Sequence, residues 1–558
     1  MIQDTIHIAV LGNCTTDYIA KAVGQACAER QLEAAVYNGP YRQYNQEIFD
    51  PGSAFYRSDP ELTLLCFEGR VLFPEWYEIG TLLEDREKKQ AAVESVFQSL
   101  TDLAERIHQY SSTKIVLNNF PIPSFSPLGI LDHKYYPGLR DLISQLDERL
   151  AEWASGQESL YLFDYRAFVS RHGEEPLTDP KMYYSTKAPL SLKATAKLGE
   201  EYLRYILPLK YRTKKCLVLD LDNTLWGGVA GEDGLSGIKL DITGTGRSFR
   251  DFQKEILTLY DKGVILAIDS KNNPEDVLPI LESHPHMVLR REHFSAMRIN
   301  WQDKVKNLLE LSGELNIGTD SMVFIDDSVV ERELVRALLP EVTVVDLPED
   351  TSRYPETIRN LVEFERLSLT PEDLSRNAMY AGNAKRAEAQ KKFGTVEEYL
   401  RSLQTKVVTE PADDFTIPRI AQLTQKTNQF NMTTRRYTQE EIRTLHASSE
   451  TLVLSCRVTD IYGDNGLTGV CIVRLRGPDA QIDEFLLSCR VLGRNVEYEF
   501  LNQVLSLLRE SGIESVSASY RATEKSRPNR DFYQKAGFSV VSESKEETVY
   551  CKKLPPQP

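Results

Sequence analysis

The residues best suited to chemistry are two aspartates one residue apart, Asp220 and Asp222, at the end of a short apolar run. Residues 216–219 predict a buried strand, and turn-forming Asn223 and Thr224 accompany the aspartates. In strand geometry both carboxylates point to one side, where their repulsion favours a divalent cation or a shared proton. A buried strand that ends in carboxylates is typical of active sites in parallel α/β sheets. Two solvated aspartates at a strand end fit this stretch equally well.

Three more groups suited to phosphoryl chemistry follow in the chain. They are Ser270 after the predicted strand 264–268, Lys304 near a helix start, and Asp326 with Asp327 after the predicted strand 322–325. In phosphoryl transfer one carboxylate can attack phosphorus and a second can protonate the leaving oxygen, while Mg²⁺ offsets the repulsion between anions. Hydroxyl and ammonium groups bind the remaining phosphoryl oxygens. Taken singly, Ser270 is equally well explained as a helix cap, and Lys304 as a solvated helix residue.

In this order the residues resemble the haloacid dehalogenase (HAD) superfamily, whose first motif, D-x-D-x-T, is matched by Asp220, Asp222 and Thr224. Four motifs in order, three of them at predicted strand ends, make the signal specific. The resemblance implies Mg²⁺ as the cofactor. The implied roles are Asp220 as nucleophile; Asp222 as general acid/base; Thr224, Ser270 and Lys304 as phosphate binders; and Asp220, Asp222, Asp326 and Asp327 as metal ligands, with Asp327 favoured over Asp326.

The composition is that of a globular protein with several domains. The chain has 558 residues, of which 41% are hydrophobic and 27% charged, and its formal net charge is -16. This charge argues against non-specific binding to nucleic acid or to anionic membranes. We find no signal-peptide pattern and no apolar run of membrane-spanning length. The eight cysteines lack metal-site spacing, so we expect a cytoplasmic protein with reduced thiols.

Residues 1–208 predict a parallel α/β domain, because predicted strands at 6–11, 62–67, 115–117 and 160–164 alternate with helices. The turn at Gly12 and the pair Asn118-Asn119 resemble the SGNH-type hydrolases. No serine occupies the nucleophile position, however, and Asp164 is not in a D-x-x-H arrangement. Cys14, at a helix start, is the possible substitute for the serine. The missing acid–base partner favours a non-catalytic domain used for packing or partner binding.

Three further segments complete the predicted architecture. Residues 209–350 form the HAD-type Rossmann-like domain with little or no cap, and the glycine-rich stretch 227–234 predicts a hairpin-like excursion near its site. Residues 351–403 predict a helical connector with a helix start at Thr370. Residues 404–558 predict an α+β domain with an antiparallel meander over 452–489 and a helix over 496–510. The expected fold class is therefore multidomain α/β.

The loop between that meander and that helix is the second candidate site. A strand, a loop and a helix start present backbone N–H groups suited to a pyrophosphate. Arg490 and Gly493 resemble the pantetheine-phosphate loop of the GNAT acyltransferases, as residues 529–538 resemble their closing segment, although Asn495 stands where Gly or Ala is usual. The resemblance implies a pantetheine or carrier-protein site at Arg490, Gly493, Arg494 and Asn495.

Cys489 lies between that strand and that helix, where a helix N-terminus and Arg490 both favour the nucleophilic thiolate. Considered alone, it is better explained as a core cysteine; beside a pantetheine-like loop, the nucleophile is favoured. The run 425–437 contains three cationic residues, including Arg435 and Arg436, and no acidic ones. A solvated loop and a docking site for an acidic partner explain this run equally well.

Over nearly the whole chain the combination resembles the FkbH-like family. The resemblance rests on the segments 220–228, 270–273, 324–328, 423–437 and 488–494. It implies an enzyme of polyketide or related biosynthesis that removes phosphate from 1,3-bisphosphoglycerate and transfers the glyceryl group. The transfer would proceed through a Cys489 thioester to the phosphopantetheine arm of an acyl carrier protein. The alternatives are a Mg²⁺-dependent HAD phosphatase acting on a small phosphorylated metabolite, and a scaffold with a decayed HAD domain, which the intact motif residues disfavour.

Overall fold

The computed structural model describes residues 5–390, 392–427, 429–523, 526–544 and 546–555. The chain divides into two compact units, residues 1–210 and residues 211–558. The first unit contains one sheet, and the second contains two. The multidomain α/β prediction is confirmed.

The N-terminal unit is built on a parallel five-stranded sheet in the order β2-β1-β3-β4-β5. Its strands are β1 (Ile6–Gly12), β2 (Ala34–Asn38), β3 (Leu62–Cys66), β4 (Lys114–Asn118) and β5 (Leu160–Phe163). Its helices are α1 (Asp17–Glu29), α2 (Tyr44–Phe49), α3 (Ala54–Arg57), α4 (Gly69–Leu72), α5 (Ile79–Leu82), α6 (Arg86–Tyr110), α7 (Leu139–Ser155), α8 (Tyr165–His172), α9 (Glu174–Leu177), α10 (Pro180–Thr186) and α11 (Leu192–Leu209). Among the strands of this sheet, only the edge strand β2, none of whose residues is fully buried, was not predicted from the sequence.

The carboxyl edge of this sheet is closely packed around Gly12. A Cβ atom at Gly12 would lie 2.3 Å from the carbonyl oxygen of Cys66, so no larger residue fits there. Cys14 is buried, and burial, followed by the charges of Cys66 and Glu68, raises the pKa of its thiol far above its usual value. A thiolate at Cys14 is therefore disfavoured. This burial supports the interpretation of a domain without a cysteine nucleophile.

The first sheet of the second unit is also parallel and five-stranded, in the order β10-β9-β6-β7-β8. Its strands are β6 (Cys216–Leu219), β7 (Ile265–Ser270), β8 (Phe294–Ile299), β9 (Met322–Asp326) and β10 (Thr343–Asp346). Every residue of β6, β7 and β9 is buried. This is expected for central parallel strands covered on both faces, and it explains their continuous apolar runs.

Helices flank this sheet and continue past it. They are α12 (Ala230–Gly237), α13 (Gly244–Asp261), α14 (Pro274–Ser283), α15 (Lys304–Leu315), α16 (Val329–Leu338), α17 (Tyr354–Arg359), α18 (Pro371–Leu374), α19 (Arg376–Gln390) and α20 (Val396–Ser402). The short helix α12 lies within the glycine-rich excursion, and an antiparallel pair of backbone hydrogen bonds between Gly227 and Lys239 closes the excursion at its base, as in a hairpin. Tyr354, Ile358 and Phe364 pack into the core of this sheet, beyond the predicted domain end at residue 350. Thr370 caps α18 as predicted.

The last sheet has the main strand order β11-β13-β14-β15-β16-β18-β17. Its strands are β11 (Lys406–Pro411), β12 (Phe430–Asn431), β13 (Thr451–Asp460), β14 (Gly463–Arg476), β15 (Asp479–Leu487), β16 (Ser515–Arg521), β17 (Ser539–Glu543) and β18 (Glu547–Lys553). Its helices are α21 (Ile417–Lys426), α22 (Gln439–Ala447), α23 (Val496–Glu510) and α24 (Phe532–Lys535). The predicted antiparallel meander (β13 to β15) and the helix after it are confirmed.

Strands β15 and β16 are parallel neighbours for only part of their length. They pair over Asp479–Ile482 of β15, and farther along β15 the short strand β12 pairs with Leu486 and Leu487 instead. The backbone N–H of Arg521, at the end of β16, donates to the carbonyl of Met432 at 2.7 Å. The chain therefore fills the gap between the two diverging strands with its own segment 430–432.

Among the helices described, none is both long and apolar enough to cross a membrane.

Candidate active site

Three carboxylates meet at the carboxyl ends of β6 and β9, which are adjacent parallel strands. One side-chain oxygen from each of Asp220, Asp326 and Asp327 lies within 4.8 Å of the others. The register of the sheet causes this meeting: Leu219 lies opposite Ile325, and the Asp220 N–H donates to the Ile325 carbonyl at 3.0 Å. The structure thus brings together the first and last of the predicted motifs.

Lys304 lies at the centre of this cluster. Its ammonium group donates to Asp220 Oδ1 at 2.7 Å and also to Asp326, and the residue is 3% exposed. It is the first residue of α15, so the helix start carries the ammonium group to the strand ends. Burial alone would lower the pKa of Lys304, but the two carboxylates outweigh burial and raise it, so the ammonium is charged. A solvated helix lysine is therefore the wrong interpretation.

The negative charge of the cluster is only partly compensated, because three carboxylates face one ammonium group. Burial raises the pKa of Asp220 to about 7, with Lys304 opposing this effect and Asp326 adding to it. Burial and the charge of Asp326 raise the pKa of Asp327 as well. Oxygen ligands with an excess of negative charge suit a hard divalent cation. The donor set therefore fits Mg²⁺, with Asp220, Asp326 and Asp327 as its side-chain ligands.

Two hydroxyl groups, those of Thr224 and Ser270, were predicted to bind phosphate together with Lys304. The Thr224 hydroxyl is fully buried and has no hydrogen-bond partner among the described residues, although a buried polar atom normally has one. Ser270 ends β7 and is 1% exposed; its Oγ accepts a hydrogen bond from Asn272 at 3.1 Å. Ser270 does not cap the following helix, because Asn273 holds that position. Their assignment as donors to a phosphoryl oxygen stays a prediction.

Asp222 is the exception among the predicted metal ligands, because its side chain is outside the carboxylate cluster. Its Oδ1 accepts from the Trp226 indole N–H at 2.9 Å and from the Ala230 N–H at 3.0 Å, and its Oδ2 accepts from Asn272 at 3.0 Å. Asn223, in the left-handed region with a φ of 52°, turns the chain between the two parts of the site. The structure therefore places the Asp222 carboxylate apart from the three clustered carboxylates, and its predicted roles in metal binding and in proton transfer stay predictions.

Two side chains that were not predicted from the sequence, those of Asn272 and Arg332, hold these groups in place. Asn272 links Asp222 to Ser270, and its signal was its place two residues after that serine. Arg332 donates to the carbonyls of Asp326 and Asp327, the first at 2.6 Å, which fixes the loop that carries both carboxylates. Its position one helical turn after the capping residue Ser328 is the signal that could have found it.

We expect Lys304→Met to lower turnover of a phosphate ester by at least about 10²-fold, because an ammonium group that binds phosphoryl oxygens in a dry site contributes several kcal/mol. The same change leaves two buried carboxylates without their counter-charge. The free energy of unfolding of the metal-free protein should fall by about 3 kcal/mol. Steady-state kinetics and chemical denaturation in a chelator measure the two effects.

Lys306→Met is the matched control, since Lys306 is exposed on the same helix two residues later. It should change neither quantity measurably. Equal effects from Lys304→Met and Lys306→Met would show that the buried ammonium has no special role.

The second candidate site follows β15. Residues Cys489–Val491 form a 3₁₀ turn, Gly493 has a φ of 77°, and Asn495 adopts the left-handed conformation before α23. The side chain of Cys489 lies outside the described residues. Arg490 donates to Ser488 Oγ at 3.2 Å and lies 2.6 Å from the Met379 sulfur. The strand, loop and helix start are placed as the sequence predicts.

The other cations predicted for carrier binding have internal partners. Arg494 pairs with buried Asp460 at 3.2 Å and donates to Asn383, and burial lowers the pKa of its guanidinium to about 10. Arg435 forms an ion pair with Asp483, and Arg436 donates to three backbone carbonyls between residues 424 and 427. The run 425–437 is therefore not a solvated loop, although its Asn428 lies outside the described residues. These contacts give Arg435 and Arg436 a structural role and do not support the predicted docking role.

Two parts of the chain match known families. Residues 7–206 match the family described as FkbH, N-terminal domain, and residues 215–339 match the NLI interacting factor-like phosphatases. The second match covers β6 to β9 and therefore every carboxylate of the cluster. No curated protein matches the chain significantly.

Solved structures resemble this chain in two regions. The N-terminal part of protein BF1531 from Bacteroides fragilis, which contains a phosphatase domain complexed with Mg, is 28% identical, covers 65% of this chain and 95% of its own, and has a TM-score of 0.60. The ribosomal-protein-S18-alanine N-acetyltransferase from Escherichia coli is 9% identical over 27% of this chain and 97% of its own, with a TM-score of 0.23. Ard1 from Thermoplasma volcanium is 19% identical, covers 27% of this chain and 98% of its own, and has a TM-score of 0.22.

Proposed function

We propose that this chain, in which an FkbH N-terminal domain is joined to an HAD-type phosphatase domain, is a Mg²⁺-dependent enzyme that removes a phosphoryl group from a small phosphorylated substrate. The observation that carries the proposal is the buried cluster of Asp220, Asp326 and Asp327 around Lys304. Its excess negative charge calls for a divalent cation, and the buried Thr224 hydroxyl, which has no hydrogen-bond partner among the described residues, suits a phosphoryl oxygen. The Bacteroides relative, complexed with Mg, supports the choice of metal.

In the proposed reaction an oxygen of Asp220 attacks phosphorus, the ester P–O bond breaks, and Asp222 protonates the leaving oxygen. A water molecule, deprotonated by Asp222, then hydrolyses the acyl-phosphate and regenerates Asp220. Lys304, Thr224 and Ser270 hold the phosphoryl oxygens. Bound at Asp220, Asp326 and Asp327, Mg²⁺ would reduce the repulsion between nucleophile and phosphate. Trp226, Ala230 and Asn272 orient the acid–base carboxylate.

We expect chelation to abolish phosphate release and added Mg²⁺ to restore it. Metal binding must displace the proton from Asp220, whose pKa is raised from 3.8 to about 7. Below pH 7, one proton is released for each cation bound, so the apparent Kd for Mg²⁺ should rise about tenfold per pH unit as the pH falls. The apparent Kd is measured from activity and from the Mg²⁺-dependent rise in Tm.

Asp327→Asn should weaken Mg²⁺ binding by at least about tenfold, because it removes a charged ligand of the cluster. Asp261→Asn, an exposed position at the end of α13, is the control and should bind normally. Phosphate release that survives complete chelation would contradict the assignment of the metal.

We further propose that the substrate is an acyl phosphate that also bears a phosphate ester, as 1,3-bisphosphoglycerate does, and that its acyl group is transferred to an acyl carrier protein. The Cys489 thiolate attacks the carbonyl carbon, a C–S bond forms, and the C–O bond to phosphate breaks, with the electron pair leaving on phosphate. The thiol of the carrier's phosphopantetheine arm then takes the acyl group and returns the thiolate. The resemblance of residues 488–494 and the position of that loop before α23 support this step.

The segment 430–432 bears on how a carrier arm could enter. It already pairs with β15 at Leu486 and Leu487, so the backbone hydrogen-bonding groups of β15 at these two residues are occupied by the chain itself and are closed to a carrier arm.

A phosphatase with non-catalytic flanking domains remains the competing function. It differs from the transferase in one respect that can be tested: its activity does not require Cys489.

A further inference from the structure

The N-terminal unit contains a pocket that neither step of the proposed reaction uses. It lies at the carboxyl edge of the first sheet, has a volume of about 370 Å³ and is partly open to solvent. Its lining includes Cys14, just after β1, and Cys66, the last residue of β3. A pocket of this volume lies within the range of small-molecule sites.

The pocket lies where open parallel sheets commonly bind ligands. In the strand order β2-β1-β3-β4-β5, the chain first steps from β1 to β2 in one direction and then passes β1 to reach β3 on its other side. The strand order therefore reverses between β1 and β3. At such a reversal the connections that follow the two strands diverge and leave a crevice at the carboxyl ends of the strands.

The walls of the pocket are mostly apolar. Phe67, Phe163, Leu190 and Leu198 line it, and each of them is at most 4% exposed. A ligand gains binding free energy from such walls by removing its own apolar surface from water. The body of the ligand should therefore be short and apolar.

Most polar groups of the lining already have partners. Asn118 Oδ1 accepts from the Phe67 N–H at 2.7 Å, and Asn118 Nδ2 donates to the carbonyls of Phe67 and Asn119. The Tyr202 hydroxyl lies 3.5 Å from the Cys66 sulfur. These contacts hold the lining together, and they use both N–H groups of the Asn118 side chain.

Glu68, which also lines the pocket, differs from these groups. Its backbone is held by Asn13, because the Glu68 N–H donates to Asn13 Oδ1 at 2.8 Å and its carbonyl accepts from Asn13 Nδ2 at 3.0 Å. The residue is partly exposed, but its Oε2 atom is buried and has no hydrogen-bond partner among the described residues. The side chain does not cap α4, which begins at the next residue. A buried polar atom normally has a partner, so Oε2 is an acceptor suited to a ligand.

The negative charge of Glu68 is not matched by an ion pair within the described part of the chain. Burial raises the pKa of this carboxyl, although the charge of Arg70 opposes the effect. The Arg70 guanidinium lies over the Tyr77 ring, 5.5 Å from its centroid. A ligand that carries both a positive charge and N–H donors would supply the hydrogen bond and the counter-charge together.

We propose that this pocket binds a small primary amine, with the Glu68 carboxylate accepting from its ammonium group and the apolar walls enclosing its body. A hydroxyl would donate to the carboxylate but leave its charge unmatched, and an anionic ligand would be repelled. The site requires no nucleophile, in agreement with the burial of Cys14. The proposal involves residues of the N-terminal unit alone and rests on neither the phosphatase nor the transferase.

The probes are n-butylamine, 1-butanol and butyrate, which have carbon chains of equal length and differ in their head groups. Each is titrated into the whole chain at pH 8, in an amine-free buffer of constant ionic strength, and its Kd is measured by saturation-transfer NMR. We expect n-butylamine to bind at least about tenfold more tightly than 1-butanol, and butyrate to bind more weakly than either. Equal affinities for the amine and the alcohol, tighter binding of butyrate, or no binding of n-butylamine would each overturn the proposal.

Two variants localise the binding. Glu68→Gln retains the size of the side chain and the backbone contacts to Asn13; it should weaken n-butylamine binding by at least about tenfold and change 1-butanol binding by less than about twofold. Leu198→Phe fills part of the pocket and should weaken both probes by at least about fivefold. Glu75→Gln, which changes an exposed glutamate of the same unit, is the matched control and should bind as the wild-type protein does.

The Tm of each variant without ligand shows whether it is folded. If Glu68→Gln does not fold, Leu198→Phe and the comparison of probes in wild-type protein decide the question. Binding of n-butylamine that is unchanged in folded Glu68→Gln and in Leu198→Phe would place the amine elsewhere and overturn the assignment of the pocket.

Discussion

Asp220→Asn is expected to lower Mg²⁺-dependent phosphate release from a phosphate ester by at least about 10³-fold, because an amide oxygen is a poor nucleophile and cannot form the acyl-phosphate. The same change also removes one of the three charged candidate metal ligands. The loss should therefore appear in turnover at saturating Mg²⁺ as well as in metal affinity. Release of phosphate from an aryl ester, followed continuously, measures both.

The stability of this variant separates a chemical from a structural role. Asp220 is buried with its pKa raised to about 7, so its ionised form is a cost to the metal-free fold at neutral pH. That cost is absent below the ordinary pKa of an aspartate and grows as the pH rises towards 7. Asn carries no such cost. At pH 8 and without metal, we therefore expect the Tm of Asp220→Asn to be no lower than that of the wild-type protein.

Asp251→Asn, on the surface of α13, is the matched control and should retain full activity. A fully folded Asp220→Asn protein with more than a tenth of wild-type turnover would show that another group attacks phosphorus. A variant that loses activity only because it unfolds would be recognised by its Tm.

The parts of the site that could be predicted from sequence are those fixed by strand order. A buried run ending in acidic residues can lie only at the carboxyl edge of a parallel sheet, and two such runs in adjacent strands meet there. This is why Asp220 and Asp326 were predicted together and are found together. Lys304 could be assigned only from the family resemblance, since a lysine at a helix start carries no signal of burial.

The direction of the Asp222 side chain could not be predicted. Alternation along a strand would place it beside Asp220, but β6 ends at Leu219, and the Asp222 carboxylate accepts hydrogen bonds from Trp226, Ala230 and Asn272. Those donors come from a turn, a helix start and the next strand end. Such contacts depend on packing between elements, which cannot be read from the hydrophobic periodicity of the sequence or from the spacing of its motifs.

The third domain shows the same limit for charged residues. Arg435 and Arg436 stood out because the run 425–437 contains no acidic residue, whereas the structure supplies Asp483 and backbone carbonyls as their partners. Lys426, in the same run, received no role from sequence, and burial, followed by the charge of Arg376, lowers the pKa of its ammonium group to about 7. Charge patterns along the chain thus identified the segment but not the side chains that matter.

Cys489→Ala is expected to abolish acyl transfer while leaving the phosphatase intact. Wild-type protein given 1,3-bisphosphoglycerate should gain the mass of a glyceryl or phosphoglyceryl group, and the variant should gain none, because the thioester has no sulfur to form on. Loading of a phosphopantetheinylated carrier should fall by at least about 10³-fold. Hydrolysis of an aryl phosphate with Mg²⁺ should stay within about twofold of wild type, since Asp220 and its cluster belong to a different sheet.

Cys551→Ala is the matched control, because Cys551 is a partly exposed free cysteine in β18 of the same domain. It should form the adduct and load the carrier at the wild-type rate. An undiminished adduct in Cys489→Ala would show that another residue carries the acyl group. If wild-type protein forms no adduct and loads no carrier, while Asp220 still supports Mg²⁺-dependent phosphate release, the phosphatase with non-catalytic flanking domains is the correct function. The pair of variants, Asp220→Asn and Cys489→Ala, therefore assigns each half of the proposed reaction to its own domain.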